Sequence, residues 1–414
     1  MAEIRDVVHG FIQLDEQEVE IINHPVFQRL RRIKQLSLTD MVYPGANHTR
    51  FEHSLGVMQM ATEMFDSIIS KKQAHDILCS ELKFDEAGLG RARKIIRLAA
   101  LLHDVGHSPF SHAGEMTMPL ISESEKRYSH EDYSIAIIKK YFGEIIENHP
   151  ISQNYGLKTS DVTILLGDES VKITKNAIWK DLISGQLDAD RSDYLLRDSI
   201  HLGVSYGLYD KSRLINCITI GRHYDSEALS MAIERSGWHI AESLVIARYQ
   251  MFSQVYFHKT RRIFDYHVGQ AIKAILHELK LPGDTYPSPD HLDQYIEFDD
   301  WKMYGALKSG MGGSHGKIIL NRTPYHCIVE SNEPPTKEDI QKLEEKKQEC
   351  TNRGIDYYID NKATTSWYKI EKDILISLKD NSSTVPLSTL SKIVNAMVEK
   401  PKTIRLYIPK EESL

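Results

Sequence analysis

Over the first 280 or so residues the apolar positions recur with the period of helices. Pro25 to Leu36 predicts a basic amphipathic helix with Phe27, Leu30 and Ile33 on its apolar side. Phe51 to Ile69 repeats the helical spacing. Arg91 to His103 predicts a helix that becomes almost wholly apolar towards its end, so that end should be buried. Trp179 to Ser199 predicts a fourth helix, and Trp238 to about Leu279 one or two long ones, joined or kinked. Pro44-Gly45, Gly106 to Pro109 and Pro282-Gly283 mark the exits.

The glycine-rich stretch Ser309 to Gly316 predicts a flexible loop or hinge, and the texture changes after it. Strands are predicted at Tyr325 to Glu330, Ile355 to Ile359, Ile374 to Leu378 and Thr403 to Ile408. Helices are predicted at Lys337 to Arg353 and Leu387 to Val398. That order, β-α-β-β-α-β, is the split-βαβ or ferredoxin-like pattern. The expected fold is therefore mainly α: a helical core over residues 1–323 and a smaller α+β C-terminal lobe over 324–414.

Composition narrows the function classes. With 41% hydrophobic and 26% charged residues, the 414-residue chain can bury a large core. A net charge of −7 argues against nucleic acid as a partner held by a basic surface, though a local basic pocket remains open. Cys79, Cys217, Cys327 and Cys350 are scattered, with no CxxC pair, which fits free thiols in a reducing compartment. The first ten residues have no apolar core of the signal-peptide kind, and the longest apolar run, near Ile95 to Leu102, is too short for a membrane span. A cytoplasmic location without membrane contact is expected.

The chemistry is concentrated around His103-Asp104. An ionised carboxylate at the buried end of an apolar helix costs several kcal/mol unless it is paired or binds a metal. Taken alone, the dipeptide fits a metal-free hydrogen-bonded helix end better than a metal site. It has company in His53, on the predicted helix Phe51 to Ile69, and in the acid-rich stretch Gln186 to Asp198. Asp190, Tyr194, Arg197 and Asp198 have i, i+4, i+7 and i+8 spacing, so they are expected on one helical face, which could equally be a solvated charged face.

The order His53, His103-Asp104, Asp190, with Phe27 to Leu36, Tyr43 to Ala46, Arg50 to Val57, His103 to His112 and Asp188 to Asp198 around it, resembles the HD-domain phosphohydrolases. Within these it is most similar to the deoxynucleoside triphosphate triphosphohydrolases of the sterile-alpha-motif/HD-domain type and their bacterial homologues, without a sterile-alpha-motif domain. The resemblance implies hydrolysis of a dNTP to deoxynucleoside and inorganic triphosphate. It assigns His53, His103, Asp104 and Asp190 to a divalent metal, whether Mn, Mg, Fe or Zn. The pKa of a metal-bound water can fall from about 16 to roughly 7, which would supply hydroxide for attack at the α-phosphorus. His107 and His112 would face the phosphates. His112 would be the general acid, oriented by Glu115 and His130.

By the same resemblance, Arg50, Arg191 and Arg248 meet the phosphates. Gln35, Leu36, Tyr194, Asp198, Phe252 and Tyr256 line the sugar, and Tyr256 disfavours a 2′-hydroxyl. Phe252 stands where the vertebrate pattern has histidine, and by spacing alone it and Tyr256 fit core packing. Asn23, Gln28 and Arg31 match a site for an activating nucleotide, with asparagine in place of the family's aspartate. A homodimer or homotetramer is implied. Two other readings remain open: an HD-type phosphodiesterase or phosphatase acting on another nucleotide, and a non-catalytic protein that binds nucleotides or single-stranded nucleic acid.

Overall fold

Side-chain caps set the start of the helices that frame the molecule. The structure, a computed structural model, describes residues 2–122, 124–172, 174–226, 228–361, 373–378, 383–397 and 403–412. A hairpin of β1 (Ala2–Asp6) and β2 (Gly10–Leu14) leads into α1 (Glu16–Asn23). There Asp15 accepts from Glu18 N while Glu18 accepts from Asp15 N, a reciprocal capping box. Thr49 and Glu52 start α2 (Arg50–Ser70) in the same way. Asp85 caps α3 (Glu86–Leu102). The short helix α4 (His130–Ile137) follows, and Asp188 caps α5 (Ala189–Leu202).

The core lies where α2 packs on α3 and α5. Leu98 to Leu102 are completely buried, as the apolar end of the predicted helix requires. Each leucine there contributes about 1.5–3 kcal/mol. The α2–α5 approach is close because position 56 is glycine. A Cβ at Gly56 would lie 2.1 Å from Asp193 Oδ1 and 2.2 Å from Arg197 Nη2.

Several predicted helices are broken, each for a visible reason. Pro25–Gln28 is one α-turn and Arg29–Arg32 a 3-10 turn, after which Ile33 is extended. The peptide N–H of Lys34 goes to Asp300 Oδ2 and that of Gln35 to the His48 carbonyl, so neither continues a helix. Phe27, Leu30 and Ile33 are nonetheless fully buried, as their spacing predicts. The run from Trp179 to Ser199 divides at Gly185 to Asp188, where Asp188 caps a new helix. The long run from Trp238 is α6 (Trp238–Met251), a π-turn at Phe252–Tyr256, and α7 (Lys259–Glu278), capped by the His258 ring. The glycines after Ser309 form a tight turn instead of a loose hinge. Gly310 and Gly312 have positive φ, and a helix begins at Gly313.

The sequence-based reading missed a hairpin of β3 (Ile218–Arg222) and β4 (Leu229–Glu234). It matters for the C-terminal region, where β5 (His326–Glu330), helix α8 (Lys337–Arg353), β6 (Tyr358–Asp360), β7 (Leu375–Ser377), β8 (Thr384–Pro386) and β9 (Arg405–Ile408) follow. Between β8 and β9 lie two short turns of helix, Leu387–Leu390 and Lys392–Ala396, in place of the single helix expected to reach Val398, a residue outside those described. The chain is mainly α with a smaller α+β C-terminal region, as expected. Its strands, however, do not form one ferredoxin-like sheet. Three pair as β5-β9-β6, while β7 runs parallel to β4 in the sheet β3-β4-β7-β8. Ile376 there is fully buried opposite Ile233, also fully buried, so the apolar β7 segment satisfies itself on the core hairpin. Strand pairing thus crosses the expected boundary at residue 324. All four cysteines are free. No helix among the described residues is long and apolar enough to cross a membrane.

One buried ion network ties α1 to α3. Glu18 is fully buried; Arg97 Nε and Nη2 each lie 2.7 Å from its carboxylate oxygens, and Lys94 Nζ lies 3.1 Å away. Burial opposes the charge on Glu18, but Arg97 and Lys94 outweigh it and pull its pKa down to about 2. Because the folded pKa is depressed, this stabilisation is complete above about pH 4.5 and is lost as pH falls towards 2. The full linkage is worth about 3 kcal/mol. Glu18→Gln should lower stability at neutral pH by about 3–5 kcal/mol by removing the buried carboxylate that balances Arg97, while Lys94 keeps Asp15. It should also flatten the acid limb in denaturant midpoints measured across pH. An unchanged acid limb in the variant would refute this assignment.

Candidate metal centre

The apolar run of α3 ends at Leu102, and the next two residues are His103 and Asp104. His53 arrives from the first turns of α2 and Asp190 from the first turn of α5. His53 Nε2 lies 3.0 Å from Asp190 Oδ1 and 3.6 Å from Asp104 Oδ2. His103 Nε2 lies 3.3 Å from Asp104 Oδ1 and 3.9 Å from Asp190 Oδ1. The other ring nitrogens are engaged: His53 Nδ1 is 2.8 Å from Asp193 Oδ2, and His103 Nδ1 is 2.8 Å from the Ala100 carbonyl. Those partners only accept, so each ring carries a proton on Nδ1 and aims Nε2 at the carboxylates.

This arrangement has a charge deficit that a cation fits. His103 Nε2 is buried and has no hydrogen-bond partner among the described residues. Two imidazole nitrogens facing two carboxylates form a donor set for Mn, Fe or Zn, and less closely for Mg. Without a cation, neighbouring groups supply the positive charge. Burial opposes protonation of His53, but Asp190 and Asp193 lift its pKa to about 10. A proton on His53 Nε2 and a dication are therefore alternatives at this point. Burial likewise opposes charge on Asp104, yet Arg50, His103 and His107 hold its pKa well below the usual carboxylate range. Arg50 Nη1 contacts Asp104 Oδ2 directly, and Arg50 Nε donates to Ser111 Oγ at 2.8 Å.

Asp193, absent from the sequence-based candidates, holds the centre from behind. It contacts His53, His9 Nε2 (2.8 Å), and Arg197 Nε (2.8 Å) and Nη2 (2.9 Å). Arg197 continues to Asp6 of β1, and Lys211 closes on His9 Nδ1 at 2.8 Å. Arg197 was expected on the Asp190 face; it turns instead into this supporting network. Asp193 lies only three residues from Asp190, and that spacing was the available signal.

The loop after Asp104 carries a second group. His107, 1% exposed, lies 3.4 Å from Asp104 Oδ1 through Nε2 and stacks on the His130 ring at 3.8 Å. Glu115 Oε1 meets both His112 Nδ1 (3.0 Å) and His130 Nδ1 (2.6 Å). Burial opposes both charges, but His112 and His130 hold Glu115 well below its usual range, and Glu115 lifts His130 to about 9. The loop is braced by residues that sequence reasoning did not single out. Asp300 Oδ1 accepts from Phe110 N at 2.7 Å, where Phe110 has φ +58°, and buried Arg29 donates to the His107 carbonyl at 2.8 Å.

Beyond these candidate ligands, Arg191 and Arg248 line one pocket with Gln186, Leu195, Leu244 and Val245. Arg191 pairs with Asp188, Arg248 Nη1 donates to Gln186 at 3.1 Å, and Arg248 Nε is buried without a partner among the described residues. The Tyr256 hydroxyl donates to Asp198 Oδ2 at 2.6 Å, and His48 Nε2 meets Asp198 Oδ1 at 2.7 Å. Tyr194 and Phe252 meet the Tyr256 ring edge-on, 6.1 and 5.2 Å between centroids. Gln35 joins through its backbone bond to His48, and Leu36 is buried beside it. His48, another residue the sequence did not flag, stands two positions before Arg50. Asn23, Gln28 and Arg31 sit elsewhere, at the end of α1 and the turn after it. Asn23 is exposed, Arg31 bonds Gln28 at 2.9 Å, and its guanidinium covers the Phe51 ring at 3.5 Å.

Known proteins resemble this chain. An HD-domain model matches residues 50–167, and a model of an HD associated region matches residues 209–413. An uncharacterized protein of Methanocaldococcus jannaschii is 39% identical over 281 residues, 68% of this chain and 51% of that protein. The deoxynucleoside triphosphate triphosphohydrolase SAMHD1 homolog of Dictyostelium discoideum is 31% identical over 300 residues, 72% of this chain and 53% of that protein. The human deoxynucleoside triphosphate triphosphohydrolase SAMHD1 is 28% identical over 314 residues, 69% and 45% of the two chains. The chain spans about half the length of these curated relatives. A crystal structure of a phosphohydrolase from Bacteroides thetaiotaomicron aligns with a TM-score of 0.74 at 27% identity, covering 99% of this chain and all of that one.

His103→Ala/Asp190→Ala should abolish Mn²⁺ binding, read as metal content after dialysis and by calorimetry. The melting temperature of the metal-free protein should stay close to that of the parent, since neither side chain fills the apolar core. Metal retained at parental affinity would exclude these ligands.

Proposed function

Because the chain belongs to the HD-domain phosphohydrolases, we propose that it hydrolyses deoxynucleoside triphosphates to deoxynucleoside and inorganic triphosphate. The observation that carries this reading is the grouping of four metal-type ligands beside a His-Glu-His cluster on the loop after Asp104, with two further arginines lining a pocket next to Asp190. His53, His103, Asp104 and Asp190 would hold a divalent ion, which would supply Lewis-acid activation.

The chain's own residues do the rest. Arg50 already lies against Asp104, so it stands where it can exchange that carboxylate for a phosphate oxygen. Arg191 and Arg248 add positive charge in the neighbouring pocket, and the unpartnered Arg248 Nε is a donor awaiting an anion. The His112 side chain is 62% exposed and bonded to Glu115, which suits it to hand a proton to the departing 5′-oxygen. Asp198, fixed by His48, orients the Tyr256 hydroxyl; on this reading the ring packs against the sugar and disfavours a 2′-hydroxyl. On the same reading Asn23, Gln28 and Arg31 hold an activating nucleotide in a homodimer or homotetramer.

Incubation with mixed dNTPs and Mn²⁺ or Mg²⁺, with and without GTP and dATP, should yield triphosphate and deoxynucleosides. Monophosphate or free phosphate instead would assign a phosphodiesterase or phosphatase, and tight nucleotide binding without turnover would assign a binding protein. His112→Ala should lower kcat by about 10²–10⁴-fold with metal content unchanged. Tyr256→Ala should raise ribonucleotide turnover relative to deoxynucleotide by about 10-fold or more, seen in competition assays.

A further inference from the structure

A proton relay accounts for His112, Glu115 and His130, but not for His107. The His107 ring is 1% exposed, and neither of its nitrogens has a hydrogen-bond partner among the described residues. Its Nε2 faces Asp104 at 3.4 Å, on the inner side. Its Nδ1 faces the opposite way, 3.9 Å from the Glu115 Oε1 that His112 and His130 also meet. One ligand atom from each of these four residues lies within 4.8 Å of the others. Three imidazole nitrogens and one carboxylate oxygen make a four-coordinate donor set of the kind that zinc-class dications take in preference to Mg²⁺.

We propose that His107, His112, Glu115 and His130 form an outer cation site for a zinc-class dication, distinct from the inner ligands and joined to them through the two faces of the His107 ring. The shell is prepared. The His107 backbone is fixed by Arg29, and its ring is held flat against His130. The nearby charge of Arg50 is neutralised by Asp104. Glu115 stands between the histidines, and its side chain is 28% exposed on a short 3-10 turn, so it can move to a corner of the cluster as the cation enters. His112, 62% exposed, leaves the entry side open.

A cation there occupies His112 and Glu115 together. That consequence rests on the proposed function: with its acid taken up as a ligand, the chain loses the proton needed by the leaving 5′-oxygen. The outer site is therefore inhibitory: zinc that fills it should act against manganese held by the inner ligands.

The test uses the chain with its inner ligands removed, His103→Ala/Asp190→Ala, stripped with chelator and titrated with Zn²⁺ or Co²⁺ alone. It should still bind one equivalent, and bound Co²⁺ should give the intense visible bands of a tetrahedral site. Adding either Glu115→Gln or the exposed His112→Ala should weaken that binding by about 100-fold or more. Absence of the residual equivalent, or its survival in both added variants, overturns the proposal. In a second arm, Zn²⁺ added to the Mn²⁺-loaded parent should stop triphosphate release as the outer site fills. A parent that releases no triphosphate at all would refute the proposed reaction and leave the metal-binding arm to decide the outer site.

Discussion

Asp104 follows the wholly buried apolar end of α3, where a lone carboxylate would be intolerable. The surroundings are organised as answers to that charge. Arg50 contacts it from the start of α2, His103 and His107 flank it, and His53 and Asp190 complete a ring of donors whose remaining lone pairs face one another. The resulting electrostatic tension is relieved only by a proton or a cation at the centre. The fold thus places two imidazoles and two carboxylates in a buried group that could hold a cation.

The arrangement is supported from outside by residues that are not themselves among the four. Asp193 orients His53 and is itself restrained by Arg197 and His9, which bring in both ends of the N-terminal hairpin turn through Asp6 and His9. On the opposite side Asp300 and Arg29 lock the loop that bears His107 and His112. Segments far apart in the chain thus fix two adjacent groups of histidines, one tuned for the inner ligands and one grouped around Glu115.

Much of this was legible in the sequence because it is local. Helical periodicity placed α2 and α3, and the carboxylate beside the apolar run marked Asp104 as anomalous. The ordered motifs added His53 and Asp190. What stayed hidden depends on long-range partners. The break after Arg32 follows from peptide groups drawn to Asp300 and His48, far along the chain. The parting of β7 from its neighbours follows from the β3-β4 hairpin, whose short strands carry little pattern. Arg197 was misplaced because periodicity gives only an angle about the helix axis, while Asp6 and Asp193 decide where its guanidinium ends.

The glycine at position 56 carries a lesson for comparing chains of this kind. No side chain fits there while Asp193 and Arg197 hold their places against α2. Helix spacing and the histidine's anchoring carboxylate are thus written into one position with no side chain. In a divergent lineage that keeps the four ligand letters but places a bulkier residue at this point, the helices must stand further apart and the anchor must be lost or rebuilt. Such a chain would preserve the motif as text while its centre drifted out of register. An unremarked glycine is therefore a sharper marker of a working site than the histidine three residues before it.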